Sequence, residues 1–342
     1  MGPTRYQEKK SRMIQRPRRN RKTPTIRAMV KETTLSLNNL IQPLFLVDGN
    51  QIKETISSLP VAKRFSLDMM LVEIQECINL GIVNFILFPS IPEAKKDKIA
   101  SYSYSEDNFY LQAANTIKAQ FGAAIILISD VAMDPYNIDG HDGYVEDGKI
   151  LNDVTLPILN KMAIAQAEAG FDILGPSDMM DGRIGSIRER LDTHGFSDTS
   201  IMSYTAKYCS ALYGPFRDAL DSAPKAGDKK TYQMDPANKR EALFEAQLDD
   251  IEGADFLMVK PALHYLDIIH VLKEKFTKPI AAYHVSGECA MLCAAVQNGW
   301  LNYQHVMPET LMCLRRAGVD ALITYFAKEY ALFQANKPSE WI

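Results

Sequence analysis

The stretch E-G-A-D-F-L-M-V-K-P, residues 252–261, decides the fold. An amphipathic stretch stops near Gly253, and the apolar run that follows is unbroken to Val259. Glycine suits the left-handed turn that ends a helix, and a continuous apolar run suits a strand buried on both faces. The same phrase recurs as N-L-G-I-V-N-F-I-L-F (79–88), E-A-G-F-D-I-L (168–174) and R-A-G-V-D-A-L-I-T (316–324). Adding Leu40–Val47, Ala124–Ser129, Ile201–Tyr204 and Pro279–Tyr283 gives eight such runs. Helical patterns at Leu67–Leu80, Asn108–Phe121, Thr155–Ala169, Pro236–Glu252, Tyr265–Phe276 and Ser286–Asn298 separate most of them. Eight parallel strands with intervening helices predict an α/β chain, a (β/α)8 TIM barrel. The alternative is an open doubly wound sheet, but no glycine-rich phosphate loop follows the first run.

In a barrel the reactive groups gather where strands end at the C-terminal face. Those ends carry Asp130, Ser177, Lys207, Lys260, Tyr283 with Ser286, and Tyr325. Two are lysines: Lys207 in I-M-S-Y-T-A-K-Y and Lys260 in D-F-L-M-V-K-P. An amine at the end of a buried strand is poorly solvated, which favours its neutral, nucleophilic form, and a second ammonium nearby lowers its pKa further. That is the chemistry for forming imines with carbonyl compounds. A lysine that merely caps a strand and pairs with a carboxylate explains either one alone; the pair and its neighbours are harder to explain that way.

Composition narrows the classes. The chain of 342 residues has no apolar run long enough to span a membrane and no signal-peptide core. Its five cysteines (Cys77, Cys209, Cys289, Cys293, Cys313) form no C-x-x-C pair, which fits a reducing, cytoplasmic setting. Net charge is −4, yet residues 1–31 hold eleven Lys/Arg against Glu8 alone. Such an arm binds nucleic acid, an anionic membrane or an acidic neighbouring subunit.

Two loops invite a functional reading. After Asp130, Asp134, Asp139 and Asp142 offer hard oxygen donors and His141 a nitrogen, in a segment without cysteine. Those donors suit Mg²⁺ and exclude a thiolate zinc site there, while Asp-Pro and Asp-Gly pairs also make ordinary turns. Between Tyr213 and Gln233 a long segment carries Gly214, Pro215, Pro224, Gly227, Arg217, Lys225, Lys229 and Lys230. Its position after Lys207 points to a lid that closes over a substrate and offers cations to carboxylates; a solvated surface loop is the alternative.

Six segments resemble the porphobilinogen synthase (delta-aminolevulinic acid dehydratase) family: G-P-S-D-M-M-D-G-R (175–183), M-S-Y-T-A-K-Y (202–208), Y-G-P-F-R (213–217), M-V-K-P (258–261), A-Y-H-V-S-G-E (282–288) and I-T-Y-F (323–326). The resemblance runs from the basic arm almost to the C-terminus and implies condensation of two 5-aminolevulinate molecules to porphobilinogen, on the route to tetrapyrroles such as haem. It implies imines at Lys260, for the propionate-side substrate, and at Lys207, for the acetate-side one, with Asp130 and Ser177 as polar partners. It further assigns Ser286 and Tyr325 to the propionate-side carboxylate with Tyr283 beside them, and Tyr213, Phe216, Arg217, Lys229 and Gln233 to the acetate-side lid.

Zinc-dependent members carry three cysteines where this chain has Ala132, Asp134 and Asp142, so it resembles the aspartate-rich, magnesium-responsive branch. Glu245 matches an allosteric magnesium ligand. Lys229 stands where the family usually has arginine, which implies a weaker hold on the acetate-side substrate. The resemblance also makes residues 1–36 an arm for subunit association, residues 37–342 the catalytic barrel and the assembly a homo-octamer, with no role for nucleic acid. Two rivals are a class I aldolase-type lyase, which needs one imine-forming lysine and phosphate-binding glycines, and a barrel reduced to a scaffold or RNA binder.

Overall fold

In the computed structural model residues 15–220 and 225–342 are described; residues 1–14 of the expected arm and 221–224 of the lid-like segment, Pro224 among them, lie outside these. The chain divides after Thr34 into two units. Within the first, a 3-10 turn at Pro17–Arg21 leads into the short helix Pro24–Met29. Thr23 caps that helix, its side chain accepting from the Ile26 amide at 3.2 Å. Neither element buries a residue, and Met29 and Val30 are left exposed.

The second unit is the barrel. Its strands are β1 (Leu40–Val47), β2 (Asn84–Ser90), β3 (Ile126–Ile128), β4 (Ile173–Leu174), β5 (Ser200–Lys207), β6 (Phe256–Lys260), β7 (Ile280–His284) and β8 (Ala321–Thr324). Every neighbouring pair is parallel, and β8 closes on β1 through Leu40 opposite Leu322 and Ile41 opposite Ile323. All eight runs expected from the sequence are strands. Phe45, Phe85, Leu127, Leu174, Met202, Leu257, Ile280 and Ile323 are all buried, one from each strand, so the closed sheet is a packed core.

Helices Leu67–Asn79, Phe109–Phe121, Asn152–Glu168, Arg183–Thr193, Arg240–Glu252, Leu266–Lys275 and Tyr303–Ala317 link successive strands, and Ala327–Gln334 follows β8. Ser286–Gln297 is an additional helix after β7. Two antiparallel hairpins decorate the mouth, Lys53–Ile56 with Leu59–Phe65 and Tyr144–Glu146 with Lys149–Leu151.

One irregularity positions the chemistry. Between β5 and β6, Leu257 lies opposite Ser203, but Val259 lies opposite Ala206 and Lys260 opposite Lys207. β5 therefore carries one extra residue, a bulge of the kind that re-aims side chains beside active sites. Its result is that both lysines end their strands at one level, on neighbouring strands about 4.8 Å apart.

Candidate active site

Both amines are buried, and Lys260 is the one walled by aromatic rings. Its Nζ lies 4.6 Å from the centroid of the Tyr283 ring, 5.0 Å from Tyr204, and 5.2 Å from both Tyr213 and Phe216. Such a wall attracts a cation through the ring faces yet excludes the water that would solvate it. Desolvation, followed by repulsion from Lys207, pushes the Lys260 pKa down to about 7. Lys207 Nζ donates to the Ser177 carbonyl and stands 3.9 Å from Asp142 Oδ1.

Three carboxylates answer the lysines. Burial, reinforced by Asp134, raises the Asp130 carboxyl to about 7, although Lys260 and Lys207 pull the other way. Asp130 Oδ1 has no hydrogen-bond partner among the described residues, so one of its oxygens is free to exchange a proton. Its backbone is fixed by the Tyr110 hydroxyl, which accepts from the Asp130 amide at 3.2 Å, and by Gln166, which donates to its carbonyl at 3.0 Å. Burial also raises Asp134, with Asp142 adding to the effect. For Asp142 burial works upward, but Lys207 and Lys229 outweigh it and hold the carboxyl at about 2.

Lys229 bridges the last two acids, its Nζ 3.0 Å from Asp134 Oδ2 and 2.8 Å from Asp142 Oδ2. Two of the three expected oxygen donors, Asp134 and Asp142, thus come together around a side-chain ammonium, and Asp139 does not join them. Among the described residues no three His, Cys, Asp or Glu side chains form a metal cage. As placed, this acid pair does not fit a metal ion.

Asp130, Asp134, Ser177, Lys207, Tyr213, Phe216, Arg217, Lys229, Gln233 and Lys260 enclose a cavity of about 30 Å³. Tyr283 reaches it through its ring, and its hydroxyl meets that of Tyr325 at 2.9 Å. Ser286 Oγ accepts from the Phe216 amide at 2.9 Å, pinning the start of the lid segment to the turn after β7. The approach is close because residue 287 is glycine: a Cβ there would lie 2.4 Å from the Leu212 carbonyl oxygen. Tyr213 donates its hydroxyl to the Tyr208 carbonyl at 2.7 Å, so it presents its ring to Lys260. Asp139 and His141 line a neighbouring cavity of about 400 Å³, and Glu245 too is not brought to the mouth. It lines a separate cavity of about 520 Å³ with Glu241 and Asp181, although Gln233 lies in both walls.

Tyr204 was not expected. Its buried ring lies 5.0 Å from Lys260 Nζ and 5.8 Å from Lys207 Nζ, a floor common to both. On a regular strand Tyr204 and Lys207, three residues apart, face opposite sides. The bulge cancels that alternation, and nothing in the residue order signals it. Phe45 and Phe88 were missed for a similar reason. They pack behind Phe216 at 5.7 and 5.0 Å between centroids, from strands too far away in sequence to be connected by motif.

Residues 14–333 match the family model described as Delta-aminolevulinic acid dehydratase. The delta-aminolevulinic acid dehydratase of Chlamydia pneumoniae is 51% identical over 315 residues, covering 92% of this chain and 95% of that one. The chloroplastic protein of that name from Oryza sativa subsp. japonica is 49% identical over 321 residues, 93% of this chain and 75% of that one. The crystal structure of delta-aminolevulinic acid dehydratase (porphobilinogen synthase) from Toxoplasma gondii ME49, in complex with the reaction product porphobilinogen, is also similar. It matches with a TM-score of 0.91 and 49% identity, over 93% of this chain and 90% of that one.

Proposed function

Because the chain belongs to the delta-aminolevulinic acid dehydratase family, we propose that its barrel mouth joins two 5-aminolevulinate molecules into porphobilinogen through imines on Lys260 and Lys207. The observation that carries this reading is the pair of buried lysines at one level, Lys260 held near neutrality by its aromatic enclosure. A neutral amine attacks a ketone, and the ketone oxygen leaves as water when the imine forms. Two ketones give the two waters of the balanced reaction. Formation of the carbon–carbon and carbon–nitrogen bonds then releases both lysines as amines. Asp130, poised near pH 7 beside both amines, suits the proton transfers at nitrogen. Ser177 joins Asp130 as a polar partner of the amines, Tyr283, Ser286 and Tyr325 complete the propionate side, and Tyr213, Phe216, Arg217, Lys229 and Gln233 the acetate side.

A cavity of about 30 Å³ has room for about one water and far too little for two substrates. Substrate entry therefore requires the lid segment to swing out and Lys229 to leave Asp134 and Asp142. On return it can present its charge to a substrate carboxylate.

Magnesium belongs to this reading at Glu245 rather than in the mouth. Burial raises the Glu245 carboxyl to about 7, with Asp249, Asp181 and Glu241 adding repulsion. A largely hydrated Mg²⁺, which needs only one or two carboxylates, would relieve it. A homo-oligomer, an octamer by family resemblance, would cover the large apolar side chains now in solvent: Phe244, Ile251 and Trp300 are 60%, 75% and 76% exposed. No described helix is long and apolar enough to cross a membrane. All five cysteines are free thiols, as a reducing cytoplasmic location would keep them.

Incubation with 5-aminolevulinate tests the function. Pyrrole should accumulate, should decline with a chelator, and should recover with added Mg²⁺ but not in Glu245→Ala. A folded protein that makes no pyrrole overturns the assignment.

A further inference from the structure

We infer that His141 is a positioning residue: its imidazole latches the lid segment shut from outside the reacting centre. His141 is buried, and both ring nitrogens are engaged with the lid. Nε2 lies 2.9 Å from the Ala226 carbonyl oxygen, and Nδ1 lies 3.1 Å from the Tyr232 hydroxyl. A carbonyl only accepts, so Nε2 carries a hydrogen; in the neutral ring Nδ1 then accepts the Tyr232 proton. The Tyr232 oxygen in turn faces the Asp142 amide at 3.4 Å. The Lys225 amide donates to the Asp139 carbonyl at 3.1 Å, giving a second tie beside the first.

The two grips fall on either side of Lys229. Ala226 precedes it and Tyr232 follows it, so one imidazole spans the segment that delivers the ammonium to Asp134 and Asp142. Cavities of about 520 and 400 Å³ flank that segment, the first walled partly by Tyr232 and the second by His141 and Ala226. Residues 225–228, 230 and 231 are exposed, so the stretch around buried Lys229 relies on specific ties to hold its place. His141 touches neither lysine of the reacting pair, which separates its role from chemistry. The inference rests on the proposed function only in taking Lys229 and Gln233 as substrate contacts.

The test uses the full-length protein and two readouts. His141→Ala should raise KM for 5-aminolevulinate about tenfold while kcat at saturation changes less than about threefold, since a looser lid weakens binding more than bond formation. Without substrate, hydrogen exchange of amides 225–234 should quicken in the same variant while barrel-strand amides keep their protection. His141→Gln, which retains an N–H donor towards Ala226, should recover part of both effects. Tyr232→Phe should act like the alanine variant, and the double variant should be little worse than either single one. Unchanged lid exchange in both His141→Ala and Tyr232→Phe overturns the latch, whatever the activity. If no pyrrole forms even with the unaltered chain, the functional reading fails while the exchange result still decides the latch.

Discussion

Lys260 is a side chain whose function is set against stability. Its pKa falls from 10.5 to about 7 because burial removes water and Lys207 adds repulsion. Between about pH 7 and 10.5 the unfolded chain holds a proton that the folded chain lacks, so this group opposes folding, and less so as pH rises. Two outcomes are expected. First, kcat/KM should fall as pH drops below about 7, because protonation removes the nucleophile; a rate flat down to pH 5 would contradict this. Second, Lys260→Met should abolish turnover yet raise the melting temperature, a gain on the order of 1–2 kcal/mol, because methionine fits an aromatic wall without a desolvated charge. A lower melting temperature in that variant would argue that the amine is stabilised in place. Both lysines were legible as strand-end amines, but the enclosure of Lys260 by four rings was legible only in part. Tyr213, Phe216 and Tyr283 could be named from motifs, whereas Tyr204 needed the bulge.

At the level of elements, the Gly-to-apolar phrase revealed β2, β4, β6 and β8 because helix caps and doubly buried strands leave strong local signatures. Arg183–Thr193 was not anticipated: it is charged and interrupted by Gly185, and its buried face combines Ile184, Ile187 and Leu191 with Arg183, which pairs with Asp249 at 2.5 Å. Tyr303–Ala317 carries Pro308 and escaped too. Both hairpins use strands of three to seven residues with much exposure, so they lack the continuous apolar run that marks a barrel strand. The Asp134–Asp142 segment was legible as a cluster of oxygen donors, but not that Lys229 would lie between them. That lysine pairs with both acids. Lys229→Met should cost about 3–5 kcal/mol, since it strips Asp134 of its cation and leaves buried Asp142 with Lys207 alone. Adding Asp142→Asn should restore part of the loss, as read by denaturant unfolding; a fully additive double variant would show that the pair is not coupled.

At the scale of the whole molecule, the core begins at Leu35, and the described residues 15–34 belong to a separate unit. Removing residues 1–34 should therefore leave the barrel's cooperative unfolding intact while reducing the assembly seen by size-exclusion chromatography. An undiminished assembly would deny the arm its role in association. Closure of β8 on β1 and the pairing of Lys207 with Lys260 turn eight scattered strand ends into one mouth. The most direct test of that mouth is borohydride reduction during turnover of 5-aminolevulinate, followed by peptide mass mapping. Reduced substrate adducts should be found on both Lys260 and Lys207. Continued porphobilinogen formation with neither lysine labelled would contradict the account.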